Sequence, residues 1–200
     1  GLEAQEYVPS KKYAARILDL QNKLDEDNYD MHSKVELGRI YADDGNYELS
    51  IETTKAALNG GVDNHKAYGA LGKAYYMLWE KYCDYNHLNQ AFDAFRKMAQ
   101  RHMKPDPNCL FYMARCYEGF GSYESATKLL GDIIMEYPEY EEFDEVVFHS
   151  AVLLKHLKHY EIAQDYLAYL GSRKESKISP ELIWFKVAHC FHLQGKDDLA

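Results

Sequence analysis

The chain has 200 residues, of which 46% are hydrophobic and 14% aromatic, with 18 tyrosines and a formal net charge of -9. Its isoelectric point is about 5.5 and no basic stripe occurs, which argues against a nucleic-acid-binding role, because such proteins neutralise phosphates with clustered lysine and arginine. No apolar run approaches the length that spans a bilayer, so we expect no membrane insertion.

The four cysteines, Cys83, Cys109, Cys116 and Cys190, lie inside segments with amphipathic periodicity. A cysteine in such a segment usually packs as a small apolar residue rather than in a disulfide. We therefore expect no disulfide framework and an intracellular, cytoplasmic location, where thiols stay reduced.

The first predicted element is an amphipathic helix over residues 11–24. Its apolar side carries Tyr13, Ala14, Ile17, Leu18 and Leu24. Residues 1–30 are therefore predicted to form a lead-in and a helix. That helix either caps the elements that follow or is the second helix of a degenerate repeat.

A sparse pattern then recurs along the rest of the chain: a small residue, an aromatic residue, a glycine turn and a second aromatic residue. It is complete in Leu37-Gly38-x-x-Tyr41 with Gly45-x-Tyr47, and in Met113-Ala114-x-x-Tyr117 with Gly121-x-Tyr123. Partial copies occur at Leu71-Gly72-x-x-Tyr75 and at Val187-Ala188-x-x-Phe191. Recurrence at intervals of 34 to 42 residues predicts stacked helical hairpins.

The small residue of each copy marks the place where the first helix of a hairpin touches its partner helix. The residues at this position are Gly38, Gly72, Ala114, Ala151 and Ala188. A larger side chain there would push two helices apart, so we expect close helix packing at these positions.

The second copy departs from the pattern. Trp79 stands where a turn glycine is expected, and Leu88 comes seven residues late. Seven residues correspond to about one added turn on each of the two helices. We therefore predict a lengthened hairpin that protrudes from the edge of the array, with Trp79 and Tyr82 as an alternative docking surface.

These small, aromatic and glycine positions resemble the tetratricopeptide repeat (TPR), a 34-residue helix-turn-helix unit; a degenerate helical repeat is the alternative. The resemblance covers residues 31–200 and implies an all-α, right-handed superhelical solenoid of antiparallel hairpins. The implied copies lie near residues 31–64, 65–106, 107–143, 144–180 and 181–200. The last copy is truncated, so we expect the sequence to be a fragment of a longer protein.

In TPR arrays the first helix of each copy forms most of a concave groove. The resemblance assigns to this groove the residues Arg39, Lys73, Tyr76, Phe111, Arg115, Phe148, Lys155, Phe185 and His189. A cationic and aromatic lining suits an extended peptide that carries carboxylates and apolar side chains. The plainer alternative is that these are ordinary exposed helix residues. The clamp by which chaperone-binding TPR proteins hold a terminal carboxylate is absent, because Val35 and Arg39 occupy its first positions.

Catalytic and metal-binding patterns are weak. His189 and His192, with Cys190 between them, are the best metal-like cluster, but no third ligand is identifiable. No phosphate-binding loop, dinucleotide fingerprint, nucleophile elbow or HExxH motif occurs. We expect no catalytic residue, no cofactor and no metal site, and hence no enzymatic activity.

The sequence therefore predicts a non-catalytic protein-interaction scaffold or adaptor that binds partner segments in its groove and helps assemble a multiprotein complex. Its partners would be proteins or peptides, with acidic peptides as one class that the lining would suit. Two alternatives stay open: a regulatory or substrate-recruiting segment of a larger enzyme, and a structural solenoid that self-associates through its truncated last copy. Fold alone does not choose among these functions.

Overall fold

The computed structural model describes residues 7–195, and within that range the chain forms ten α-helices and no strand. The helices are α1 Ala14–Glu26, α2 Met31–Asp43, α3 Tyr47–Asn59, α4 His65–Tyr82, α5 Tyr85–Gln100, α6 Pro107–Gly119, α7 Tyr123–Glu136, α8 Phe143–His156, α9 Tyr160–Ser172 and α10 Pro180–Leu193. The all-helical prediction is thus confirmed. Residues 1–6 of the predicted lead-in and residues 196–200 of the predicted last copy lie outside the described residues.

The helices belong to two compact units, residues 1–109 (unit 1) and residues 110–200 (unit 2). Unit 1 contains α1 to α5 and the first turn of α6, whereas unit 2 contains the rest of α6 and α7 to α10. Across residues 7–195, no helix is both long and apolar enough to cross a bilayer.

Short polar side chains fix where several helices begin. Asp30, Asn46 and Asn64 each accept a hydrogen bond from the backbone amide three residues later, at 3.0, 3.1 and 3.0 Å. Ser179 caps α10 in the same way at 3.2 Å, with Pro180 in the first turn. These caps satisfy amides that have no partner inside the helix, and so they define the helix starts.

Left-handed backbone ends the first helix of the hairpins. Gly45, Gly121 and Gly195 have φ values of 85°, 75° and 69°, which glycine adopts at little cost. Cys83 and Lys158 take the same role with φ of 54° and 65°, and the sequence did not mark them as turn residues.

The hairpin of the second copy is longer than that of the first. Its helices α4 and α5 contain 18 and 16 residues, against 13 in each of α2 and α3. The predicted lengthening of the second hairpin is therefore confirmed.

Two of the predicted small residues of unit 1 lie at close helix crossings. Ser50 Oγ donates a hydrogen bond to the carbonyl oxygen of Gly38 at 2.7 Å, which joins α2 to α3. A Cβ atom on Gly38 would collide with Thr54 Oγ1, and one on Gly72 would lie 2.8 Å from the Phe95 ring. At both crossings a residue with a Cβ atom would therefore displace the side chain or the helix that it faces.

The N-terminal helix α1 covers an apolar face of α2. Ile17 and Leu20 are buried there, in contact with the cluster that contains Leu37 and Ile40. The sequence placed Leu18 on this inner side, but Leu18 is 58% exposed. That expectation was wrong because consecutive residues point about 100° apart around a helix, so Ile17 and Leu18 cannot share one narrow contact.

Unit 2 is built around two apolar clusters that share α8. The cluster between α6, α7 and α8 includes Ala114, Ala126, Leu130, Ile133 and Val146. The cluster between α8, α9 and α10 includes Ala151, Ala163, Leu167, Leu170 and Ile183. Ala114 and Ala151 are buried as small-residue positions should be, whereas Ala188 is half-buried.

All four cysteines lie within the described residues and carry free thiols. Cys109, Cys116 and Cys190 are buried, whereas Cys83 is exposed. Burial raises the pKa of Cys109 and of Cys116 to about 12. At neutral pH these two thiols are therefore packing groups rather than nucleophiles.

Replacing Gly38 with Ala should lower the free energy of unfolding by about 1–3 kcal/mol, because the new methyl group collides with Thr54 and presses α3 outward. The matched control is Gly131→Ala in α7, where nothing lies within 4 Å of the added Cβ. This control should raise the free energy of unfolding by about 0.5–1 kcal/mol, since alanine favours a helix interior. Urea unfolding measures both values, and a neutral Gly38→Ala would contradict the packing role.

Replacing Lys158 with Gly should raise the free energy of unfolding by about 1 kcal/mol, because glycine removes the cost of left-handed backbone at this turn. The control is Gly121→Ala, also a left-handed turn of unit 2 with open space around the added Cβ. It should lower stability by a similar amount. The thermal midpoints of the two variants should therefore move in opposite directions, and a shift in the same direction would refute the strain at Lys158.

Candidate functional site

In unit 1, the predicted groove cations Arg39 and Lys73 share one carboxylate. Arg39 Nη1 lies 3.0 Å from Asp43 Oδ2, and Lys73 Nζ lies 2.5 Å from Asp43 Oδ1. A second acid, Glu36, contacts Arg39 Nη2 at 2.8 Å, and the hydrogen bond from Arg39 lowers the pKa of Glu36. Two cations thus face two carboxylates, so these four side chains offer no net positive charge to an acidic ligand.

Tyr76 was also assigned to the groove, but it is buried in unit 1 with 3% of its surface exposed. Its hydroxyl donates to Glu80 Oε1 at 2.6 Å, and its ring lies 5.6 Å from the ring of Trp79. Because its ring packs internally and its hydroxyl has an internal acceptor, Tyr76 is a core residue and does not present a ligand surface.

The alternative docking pair lies at the end of α4. Trp79 is half-buried, whereas Tyr82 is 56% exposed and has the Lys81 ammonium 4.9 Å from its ring centroid. The Cys83 turn follows directly in the sequence. Tyr82 is therefore the more accessible of the two aromatic residues, and their role in docking stays a prediction.

In unit 2, Arg115 belongs to a compact network with Glu118 and His149. Its guanidinium contacts the Glu118 carboxylate and lies 2.7 Å from His149 Nδ1, which is 3.5 Å from Glu118. Burial would raise the pKa of Glu118, but the hydrogen bond from His149 and the charge of Arg115 outweigh it and lower that pKa. The Arg115 side chain is only 19% exposed, and the carboxylate of Glu118 compensates its charge.

Two predicted groove aromatics, Phe111 and Phe148, pack beside this network. Each ring centroid lies 6.1 Å from that of His149, in edge-on geometry. Both phenylalanines are half-buried. They therefore hold the imidazole in place and offer only part of their apolar surface to a ligand.

Lys155 and His189 form a second polar contact in unit 2, between α8 and α10. Lys155 Nζ lies 3.3 Å from His189 Nδ1, and Lys155 is buried with 9% of its surface exposed. Burial and the charge of Lys155 lower the pKa of His189, so His189 is neutral at pH 7 and accepts a hydrogen bond from the ammonium. Phe185 lies one turn earlier on α10, with its ring centroid 6.4 Å from the imidazole.

Both histidine contacts join residues that are 34 positions apart, Arg115 with His149 and Lys155 with His189. This separation is three residues shorter than the 37-residue interval between the small residues of these copies, so each pair links the first helices of two successive copies at different repeat positions. The sequence indicated Arg115, Lys155 and His189 as groove residues but did not indicate His149 or either pairing. The repeat spacing did not mark these pairs, because the two partners of each pair do not occupy equivalent positions in their copies.

No arrangement in the described part of the chain supports metal binding. Among residues 7–195, no group of three or more His, Cys, Asp or Glu side chains is placed to hold a metal ion. His189, from the cluster that looked most metal-like in the sequence, contacts Lys155 instead of a second metal ligand.

Several solved structures are similar to this chain over most of its length. MamA shares 17% identity, with 95% of this chain and 99% of MamA covered and a TM-score of 0.64. YrrB, a TPR protein with an unusual peptide-binding site, shares 14% identity, with 92% and 84% covered and a TM-score of 0.61. TTC0263, a TPR protein of Thermus thermophilus, shares 17% identity, with 90% and 91% covered and a TM-score of 0.62. The chain has the TPR fold.

The TPR fold accounts for the recurring small, aromatic and left-handed turn positions of this sequence. No protein-family profile and no curated protein matches the chain. At identities of 14% to 17% the similarity concerns the fold, and the contacts that decide function are those of this chain.

Replacing Glu118 with Gln should lower the free energy of unfolding at pH 7 by about 1–3 kcal/mol, because Arg115 and His149 lose their carboxylate partner. The pKa of Glu118 is lower in the folded protein than its ordinary value of 4.5. Its contribution is therefore complete above pH 4.5 and is lost as the pH falls through the folded-state pKa.

Urea unfolding of the wild type and of Glu118→Gln at several pH values measures this contribution. The difference between them should shrink below pH 4.5. Glu139→Gln, an exposed glutamate of the same unit, is the control and should change stability little. A difference that stays constant down to pH 3 would contradict the lowered pKa.

Proposed function

We propose that this chain is a non-catalytic protein-interaction scaffold that binds a segment of a partner protein and helps assemble a multiprotein complex in the cytoplasm. The TPR fold supports the general role, because repeats of this kind present extended surfaces to other proteins. The similarity in fold to YrrB, a protein with a peptide-binding site, supports a peptide segment as the ligand.

The observation that carries the proposal is an apolar stripe along one face of α10. Leu182, Phe185 and Leu193 are 40%, 64% and 43% exposed, and their spacing places them on the side of the helix that also carries His189. Exposed apolar side chains aligned around a polar group favour an interaction surface over a solvated face. The TPR resemblance assigns this side of a first helix to the groove.

Charge favours unit 2 over unit 1 as the place where an acidic segment binds. In unit 1 the carboxylates of Asp43 and Glu36 compensate Arg39 and Lys73. In unit 2 the contact of Lys155 is a neutral imidazole, which leaves the charge of the ammonium uncompensated by that contact. We therefore place the preference for acidic ligands near Lys155, His189 and Phe185.

A second candidate function is self-association through α10. Trp184 is 62% exposed and points about 100° away from Phe185, so it belongs to a different side of the helix. An exposed indole of this size suits a contact between two copies of the chain. The two functions therefore predict different single residues as essential.

Replacing Phe185 with Ala should weaken partner binding by about tenfold or more, because aromatic anchors carry much of the energy of an interface. Trp184→Ala and Tyr82→Ala are matched controls, since both remove an exposed aromatic residue outside the proposed surface. Affinity purification from cell extract with quantitative mass spectrometry identifies the partners, and titration with the purified partner gives the affinities.

The controls separate the rival surfaces. If Tyr82→Ala abolishes binding while Phe185→Ala binds as tightly as the wild type, the lengthened hairpin is the docking surface. If Trp184→Ala lowers a concentration-dependent mass in sedimentation and Phe185→Ala loses no partner, the chain is a self-associating solenoid. Either result would refute the assignment of the groove in unit 2.

A further inference from the structure

The most unusual charged group of unit 2 is the ammonium of Lys155. It is carried by a residue that is 9% exposed, in the last turn of α8. Within residues 7–195 no carboxylate lies within 4.0 Å of its Nζ, whose polar contact is His189 Nδ1 at 3.3 Å. A buried charge normally has a partner of opposite sign, because taking an ion out of water is costly.

Further basic side chains surround Lys155 and His189. Lys186, His156 and His192 are close enough to His189 for their charges to lower its pKa. In unit 1 the groove lysine Lys73 reaches Asp43 on the preceding first helix. In unit 2 the contact of Lys155 joins an ammonium to an imidazole, so the site would gain from an anion supplied by another molecule.

Apolar side chains lie along α10 on both sides of this cationic cluster. Leu182 and Phe185 precede His189 in the sequence and Leu193 follows it, and all three are at least 40% exposed. The Lys186 ammonium lies 5.9 Å from the Phe185 ring centroid, so the apolar and cationic groups are neighbours on this surface. A ligand that fits this surface carries a negative group in its middle and apolar groups at both ends.

We propose that Lys155, Lys186 and His189 bind the side-chain carboxylate of an aspartate or glutamate within a partner segment, with large apolar residues of that segment on Phe185 and Leu193. The proposal rests on the scaffold function and names its ligand. An internal carboxylate fits better than a chain terminus, because the exposed apolar residues continue in both directions from His189.

Binding of this carboxylate should be linked to protonation of His189. The basic groups whose charges act on its imidazole are Lys155 and His156 from α8 and Lys186 and His192 from its own helix. Burial and these charges lower the pKa of His189 in the free protein. A carboxylate nearby favours the imidazolium, so binding should raise that pKa and should strengthen as the pH falls from 8 to 6.

The test uses the full chain and three short peptides: acetyl-Phe-Glu-Leu-amide, acetyl-Phe-Gln-Leu-amide and acetyl-Phe-Leu with a free terminal carboxylate. In NMR titrations the Glu peptide should give saturable shifts of the His189 ring and of the Lys155 side chain. It should bind about tenfold or more tightly than the Gln peptide, because the charged hydrogen bond is lost in the latter. Tighter binding of the free terminus would overturn the choice of an internal side chain.

Variants show whether the cluster is responsible. Lys155→Met should abolish the preference for Glu over Gln, and Lys186→Gln should reduce it. Lys128→Gln, an exposed lysine on α7, should leave it unchanged. Since Lys155→Met removes a buried charge, its thermal midpoint should be equal to or above that of the wild type. This measurement shows that any loss of binding by the variant does not result from unfolding.

The outcomes separate this proposal from the scaffold function. If the wild type binds the Glu and Gln peptides equally, or if Lys155→Met keeps the preference, the carboxylate site is refuted, even where Phe185→Ala still loses its protein partner. If the peptide preference depends on Lys155 while Phe185→Ala keeps every partner, the carboxylate site stands and the proposed groove function fails. A pKa of His189 that does not rise with the Glu peptide would also refute the site.

Discussion

Close approach of two helices at a residue with little or no side chain is the constraint on which each hairpin depends. At Gly38, Ser50 can bond to the backbone of α2 because no Cβ atom stands between the helices. At Gly72 the ring of Phe95 occupies the space that a Cβ atom would need. In unit 2 the corresponding position is taken by the buried alanines Ala114 and Ala151. These crossings set the spacing of the helices, and so they decide which side chains reach the neighbouring copy.

The lysines that contact a neighbouring copy have different partners in the two units. In unit 1 a lysine from the first helix of one copy meets the carboxylate of Asp43 on the copy before it. In unit 2 Lys155 meets the imidazole of His189 on the copy after it. An acidic chain can therefore keep one locally positive site, because local charge depends on which pairs form rather than on net charge.

Much of the fold could be predicted from the sequence because small residues and turn glycines act locally. Gly45 and Gly121 marked two turns correctly, and Leu88, arriving late, indicated the longer α4 and α5. The turns at Cys83 and Lys158 could not be predicted, because neither residue type favours left-handed backbone.

The candidate site was harder to predict, because it depends on how far side chains reach between helices. Groove positions inferred from the repeat gave Lys155, Phe185 and His189, which lie together on α8 and α10. The same positions also gave Tyr76, which is buried. Its burial could not be predicted, because the position of a residue along a helix does not determine how its ring packs. Compensation of Arg39 by Glu36 and Asp43 could have been predicted, because residues three and four positions apart are neighbours on a helix, whereas the contact of Lys73 with Asp43 depends on how two helices pack.

The distribution of thiols gives this protein a built-in attachment point for a spectroscopic label. Cys109, Cys116 and Cys190 are buried, whereas Cys83 is exposed at the tip of the α4–α5 hairpin. A maleimide dye should therefore couple at one position in the folded chain, without any cysteine being removed. Fluorescence from that position would report on the α4–α5 turn during refolding or during the arrival of a partner.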